Sequence, residues 1–163
     1  MTLRALLFLS AFASAVAFGE DLVRTGELAV TIQRTDTIFR TVLKLPAPSP
    51  PTKPKDEVAS RLQILEGFWR LYSTAKPKFV FTLTPVKFDA KRLSSVFKGV
   101  ARERLVTLIQ GGFVAPYGPL ATGTRSVLTL EEYGDALGHL IARAMERTHT
   151  PSRQYSPYLQ GFG

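Results

Sequence analysis

The sequence predicts a mainly α-helical protein, a compact bundle of about four main helices with a proline-rich crossover and one short extended segment. Three observations carry this expectation. Apolar side chains recur at three- and four-residue spacing over most of the chain, prolines and glycines gather between those runs, and a single segment alternates like a strand with no second strand in sight.

The first helix is expected from about Thr25 to Leu43, where Leu28, Ala29, Ile32, Phe39, Val42 and Leu43 share a stripe and Gln33, Arg34, Thr37 and Lys44 fall elsewhere. Pro46, Pro48, Pro50, Pro51 and Pro54 then forbid helix, so residues 45–55 form a stiff surface crossover. Asp56 offers a cap for a second helix through about Tyr72. Its main stripe is Val58, Leu62, Leu65, Trp69 and Tyr72, widened by Ile64, Phe68 and Leu71 over more than half the circumference. A helix so apolar is covered on two sides and belongs at the centre of the domain.

After Pro77, the run from Phe79 to Thr84 alternates apolar with smaller or polar side chains and stops at Pro85, which predicts a short strand or extended edge. Asp89 can cap a short helix containing Leu93, Val96 and Phe97, and Leu105, Leu108 and Ile109 lead to a helix end at Gly111-Gly112. Phe113 to Val127 holds Pro116, Gly118, Pro119 and Gly123, an irregular loop long enough to carry function. Thr129 and Glu132 predict a capping box, in which each side chain takes the other's backbone N–H. The helix that follows turns Leu130, Tyr133, Leu137, Leu140, Ile141 and Ala144 to one face and Glu132, Asp135, His139, Arg143 and Glu146 to the other. Residues 148–163 form a C-terminal tail expected to fold back on the core through Tyr155, Tyr158 and Phe162.

Arg4, the apolar run Ala5 to Val16 and the small residues Ala15-Val16-Ala17 match a secretory signal peptide over residues 1–17, leaving 18–163 as one domain. The apolar run breaks at Gly19-Glu20-Asp21, short of the ~20 residues a spanning helix needs, so no transmembrane segment is expected after cleavage. Without cysteine, neither a lipid anchor on an N-terminal Cys nor disulfides can hold the chain. The formal charge is +8. An exported chain of that charge meets anionic envelope polymers, not nucleic acid, so a cell-wall or other anionic polymer is the expected partner, with another envelope protein or self-association as further options. The expected location is secreted, periplasmic or cell-surface.

The stretch Val100 to Glu146 resembles an S-layer homology repeat: a helix ending in a Leu-x-x-x-Gly-apolar turn (Leu108 to Val114), a loop with glycine and proline (Ala115 to Val127), and a helix opened by Thr129-Leu130-Glu131-Glu132-Tyr133. Leu130 stands where the family usually carries an Arg implicated in ligand recognition. A fainter echo runs from Val23 to Leu43; setting Glu27 over Glu132 brings Leu28 over Tyr133 and Ile32 over Leu137, which suggests a diverged internal repeat. The resemblance implies a helical module that binds envelope polysaccharide, and that three such repeats assemble about a pseudo-threefold axis. A chain with fewer repeats would then complete the set from another subunit or protein.

For glycan contact, Arg24 and Arg125 are the candidate charges and Tyr117 the candidate stacking platform. No nucleophile elbow or phosphate-cradling loop occurs, and neither His139 nor His149 has a partner at a catalytic spacing, so neither a catalytic residue nor a cofactor is expected. Glu132, Asp135 and His139 share a face, but a metal would need further ligands; the face is expected to be solvated. His149 is expected at a helix terminus. The alternative class is a secreted protein–protein adaptor using the proline-rich segment and the aromatic tail.

Overall fold

The computed structural model describes residues 21–50, 52–80 and 84–160; the leader expected at 1–17 lies outside them. Helix α1 (Thr25–Val42) buries Leu28, Ile32 and Phe39 of the expected stripe, leaves Ala29 and Val42 half-buried, and adds Thr35, Asp36 and Ile38 to the buried face. It closes with the Leu43 N–H donated to the Phe39 carbonyl at 2.8 Å, followed by Lys44 at φ 57°. The left-handed residue turns the chain off the helix axis. Residues 45–50 and 52–57 then run without helix or strand, as the prolines require.

Helix α2 (Arg61–Ala75) starts later than expected, because its cap is Ser60 and not Asp56. Val58 is held extended by an antiparallel bridge to Arg24, and the Asp56 carboxylate bonds the Arg24 guanidinium at 3.1 Å. The later start also resets the buried face. Ile64, Leu65, Phe68, Leu71, Tyr72 and Ala75 form it together with Arg61, whereas Val58 and Leu62 stay 38% and 39% exposed and Trp69 is half-buried. The residues expected to widen the stripe are its centre. Helix α2 is central, packing against α1 and against α3 (Val100–Gln110) and α5 (Leu130–Arg147).

A 3₁₀ turn (Lys76–Lys78) ends α2 and delivers Phe79 between Tyr72 and Phe113, with ring centroids 5.8 and 5.4 Å away. Of the expected strand, residues 81–83 lie outside the described set and Phe79, Val80 and Thr84 are not in a strand; Val80 donates its N–H to the Arg147 carbonyl at 3.0 Å instead. Asp89 caps as expected, accepting the Lys91 N–H at 3.0 Å, but the element is a single 3₁₀ turn (Ala90–Arg92). The Ser94 N–H goes to the Ala121 carbonyl at 2.8 Å, which takes it out of helical register. Leu93 and Phe97 are still buried, from irregular backbone.

Helix α3 begins after Gly99 (φ 57°) and ends at Gly111-Gly112, the second at φ 80°. The loop beyond it contains one helical turn, α4 (Pro119–Thr122), because Pro119 at the first position is pre-set for helical φ. Helix α5 buries Tyr133, Leu137, Leu140, Ile141 and Ala144. The tail does fold back, forming α6 (Ser152–Leu159), which meets α1; of the expected anchors Tyr155 packs half-buried on the core with Leu159, Tyr158 is exposed, and Phe162 lies outside the described residues. Among the described residues no helix is long and apolar enough to cross a membrane.

Candidate functional site

Three helix starts meet at one place. The extended residues before α1 sit between those before α2 and those before α5. On one side Val23 donates to the Leu128 carbonyl (3.1 Å) and Leu130 to the Asp21 carbonyl (2.7 Å). On the other, Thr25 donates to the Glu57 carbonyl (2.7 Å) and Ala59 to the Val23 carbonyl (2.8 Å). Bridges Leu22 to Thr129 and Arg24 to Val58 result, both antiparallel. The Thr25 hydroxyl tightens the junction by donating to the Lys55 carbonyl at 2.6 Å and accepting from the Glu57 N–H at 3.0 Å.

The three starts share a pattern. Cap residues Arg24, Ser60 and Thr129 each follow a buried apolar residue (Val23, Ala59, Leu128). Three residues past each cap comes Glu27, Gln63 or Glu132, and then a buried Leu28, Ile64 or Tyr133. An apolar residue before the cap packing near the one four past it fixes the angle at which the chain enters a helix. The middle member, Ser60-Arg61-Leu62-Gln63-Ile64, was missed in the sequence because Asp56 offered a competing cap. Its signal was there: Ser-x-x-Gln followed by an apolar run.

The capping box expected at Thr129 is half formed. Thr129 accepts the Glu132 N–H at 3.1 Å, but the Glu132 carboxylate bonds the Arg125 guanidinium instead of returning to the Thr129 N–H. The complete box is at the middle start, where Ser60 Oγ accepts the Gln63 N–H (3.2 Å) and Gln63 Oε1 the Ser60 N–H (2.8 Å). A neutral amide at that position has no arginine to draw it away; a carboxylate prefers the charged donor.

Below Arg125 and Glu132 lies Arg61, 1% exposed. Its Nη1 donates to the Leu120 carbonyl at 2.7 Å, its backbone N–H to the Ser126 carbonyl at 2.9 Å, and its Nε has no hydrogen-bond partner. Glu132 Oε2 is likewise buried without one. Burial lowers the Arg61 pKa; the Glu132 charge opposes the shift and Arg125 adds a smaller push in the same direction. Gly123 makes room, since a Cβ there would stand 1.8 Å from Arg61 Nη2. Arginines do not exchange protons near neutral pH, so this group can recognise an anion but cannot serve as general acid or base.

The three candidate residues fall in separate local sets. Arg24 is bound to Asp56 at 3.1 Å. Arg125 is paired with Glu132 beside the converged starts. Tyr117 accepts the Asp89 N–H on its hydroxyl at 3.2 Å and carries the Arg92 guanidinium 4.4 Å from its ring centroid. A cleft of about 380 Å³ between the loop and α5 is lined by Val114, Gly118, Pro119, Glu131, Glu132 and His139 among others.

The outward face of α5 is not simply solvated. His139 Nε2–H donates to the Gly112 carbonyl at 2.8 Å, Arg143 to the same oxygen at 3.3 Å, and Arg147 to the Gly111 carbonyl at 2.7 Å. These three side chains cap the carbonyl end of α3, the two arginines adding positive charge there. Among the described residues no group of His, Asp and Glu is arranged to hold a metal. His149 follows the end of α5 at φ 52°, donating its N–H to the Glu146 carbonyl at 3.1 Å. No protein-family model matches the chain, and no curated protein or solved structure is significantly similar to it.

Proposed function

We propose that this chain is a cell-envelope binding module, related to S-layer homology repeats, that contacts anionic cell-wall polysaccharide. The observation that supports the reading is the trio of matching helix starts lying side by side through backbone pairing. Two of them, at Arg24 and Thr129, carry the resemblance in the sequence. The third supplies, at Ser60-Arg61-Leu62-Gln63, an arginine next to the cap, the placement that Leu130 lacks. Three repeat-like starts within one chain also remove the need to borrow repeats from a partner.

Ligand charge would be met by Arg125 at the surface, with Arg61 raising the local positive potential from below. Export, and a place in the periplasm or at the cell surface, belong to the same proposal and rest on residues 1–17. The test is co-sedimentation of the purified protein from Phe18 onward with isolated cell-wall sacculi. Retention at low salt that falls as ionic strength rises is the expected result, because surface charge contacts are screened beyond ~10 Å at 0.1 M salt. Failure to sediment at low salt would remove the proposal.

A further inference from the structure

We propose that Arg92 and Tyr117 form a second, pre-built platform for the same anionic polysaccharide, the guanidinium edge taking a carboxylate or phosphate and the open ring surface a sugar. This deepens the envelope-binding reading and rests on it. The argument begins with charge. Between Val86 and Arg104, Lys87, Lys91, Arg92, Lys98, Arg102 and Arg104 stand against Asp89 and Glu103, so this stretch carries half of the chain's formal excess of +8.

The second step is the cost of order. The turn Ala90–Arg92 buries no side chain. It is nonetheless tied down on every residue: Asp89 Oδ1 accepts the Lys91 N–H (3.0 Å), Tyr117 Oη accepts the Asp89 N–H (3.2 Å), and Arg102 donates to the Ala90 carbonyl (2.9 Å). Phe88 before the turn and Leu93 directly after it pack on the core, and this burial meets the conformational entropy of fixing the exposed turn between them. What the fixed turn presents is an arginine held over an aromatic ring, 4.4 Å from guanidinium carbon to centroid. A guanidinium already stripped of rotamer freedom presents its planar fork to a two-oxygen anion with less to lose on binding.

Tyr117 is 49% exposed, which leaves ring surface for a stacked sugar. Its hydroxyl is engaged with backbone, so the ring is held in place and is poorly suited to inserting among lipid chains. A polysaccharide therefore fits better than an anionic membrane.

The experiment is sacculus co-sedimentation at low salt with four variants, Arg92→Ala, Arg92→Lys, Tyr117→Leu and the charge-matched control Lys53→Ala, run beside phosphatidylglycerol vesicles. Arg92→Ala, Arg92→Lys and Tyr117→Leu should each weaken retention on the order of tenfold, the loss of one charge-assisted contact, while Lys53→Ala stays near the parent. Arg92 is exposed, so its variants should keep the parent's circular dichroism spectrum. If the parent sediments and Arg92→Ala matches it, the platform is overturned and the envelope reading stands. If Arg92→Lys matches the parent, charge alone suffices and the platform is again overturned. A parent that fails to sediment overturns both proposals. Arg92-dependent binding to vesicles without binding to sacculi overturns the choice of polysaccharide.

Discussion

Arg61 and Arg147 are both buried, 1% and 7% exposed, and each donates from one guanidinium nitrogen to a backbone carbonyl at 2.7 Å while leaving Nε unpartnered. Their settings are opposite. Arg61 is the first residue of α2, where the helix dipole repels a cation, and Glu132 is the acid that offsets it. Arg147 is the last residue of α5 and bonds the carbonyl end of α3, so two helix dipoles favour it; burial, and then Arg143, lower its pKa while Glu146 raises it. One arginine stabilises the place where it sits, and the other is tolerated there. That difference is the reason the proposed polysaccharide contact is placed at the end with the helix starts.

The largest effect should come from glycines over which arginine side chains pack, Gly123 beneath Arg61 and Gly112 beneath Arg143. A Cβ on Gly123 would meet Arg61 Nη2 at 1.8 Å and the Pro119 carbonyl oxygen at 2.7 Å, so neither a side-chain nor a backbone shift alone relieves it. Gly123→Ala should cost about 3 kcal/mol, at the upper end for overpacking. Gly112→Ala, at φ 80° with Arg143 Nε 3.0 Å from its Cβ, should cost nearer to 1–2 kcal/mol, on the order of the usual left-handed strain. Urea titration of both variants checks the order. Equal losses would mean that the loop over Arg61 is as pliable as the α3 end.

Tyr133 probes the same end through pH. Its ring is buried in the core and its hydroxyl lies 2.5 Å from that of Thr31, joining α5 to α1. Burial raises its pKa to about 12, with the Thr31 bond pulling the other way. In the unfolded chain the phenol ionises near ~10. The stabilisation is therefore complete below pH ~10 and is lost as pH climbs toward the folded value of about 12, by on the order of 2 kcal/mol. Tyr133→Phe should flatten stability over that window. A profile that keeps its slope in the variant would assign the loss to other groups.

Much of this architecture was legible in the sequence because helix stripes are periodic. Leu28, Ile32 and Phe39 of α1, and Tyr133, Leu137 and Leu140 of α5, are buried where spacing placed them. The start of α2 was not read, although Ser60 carries the box residue Gln63 that Asp56 lacks, since Asp56 comes first and only the long-range bridge from Arg24 to Val58 holds the chain extended past it. The same bridge decides that Arg61 is buried, a placement that no local rule suggests for an arginine. For the candidate site, Arg24, Arg125 and Tyr117 are the charges and the ring that a glycan contact implied by the resemblance would use. Their partners Asp56, Asp89, Arg92 and Glu132 come from pairings that only the fold brings together.

The contrast between the two arginines sharpens with volume-matched replacement. Arg147→Met loses a hydrogen bond to Gly111, a contact with the Phe113 ring at 5.5 Å and a favourable dipole, and should cost ~1–2 kcal/mol. Arg61→Met also loses a hydrogen bond, to the Leu120 carbonyl, and leaves Glu132 with Arg125 alone, but it takes a buried cation away from the unfavourable end of a helix dipole, so its cost should be the smaller, ~1 kcal/mol. Denaturant midpoints of the two variants decide it. A larger loss for Arg61→Met would make that arginine a structural element like its counterpart and take away the reason for reading its end as a recognition surface.

The smallest test separates two of the helix starts themselves. Ser60→Ala removes the Oγ that accepts the Gln63 N–H and leaves the backbone N–H to hold Gln63 Oε1 without that support, so it should cost ~1 kcal/mol. Thr129→Ala removes the bond to the Glu132 N–H where no returning bond is coupled to it, the Glu132 carboxylate being bonded to Arg125, and should cost about half as much. Arg125→Ala frees that carboxylate to complete the box with the Thr129 N–H, so in its background the cost of Thr129→Ala should rise toward that of Ser60→Ala. A double-mutant cycle measures this coupling directly. Additive losses would show that Glu132 does not choose between cap and arginine, and that the half-open box arises from the backbone path at Thr129 and not from competition for the carboxylate.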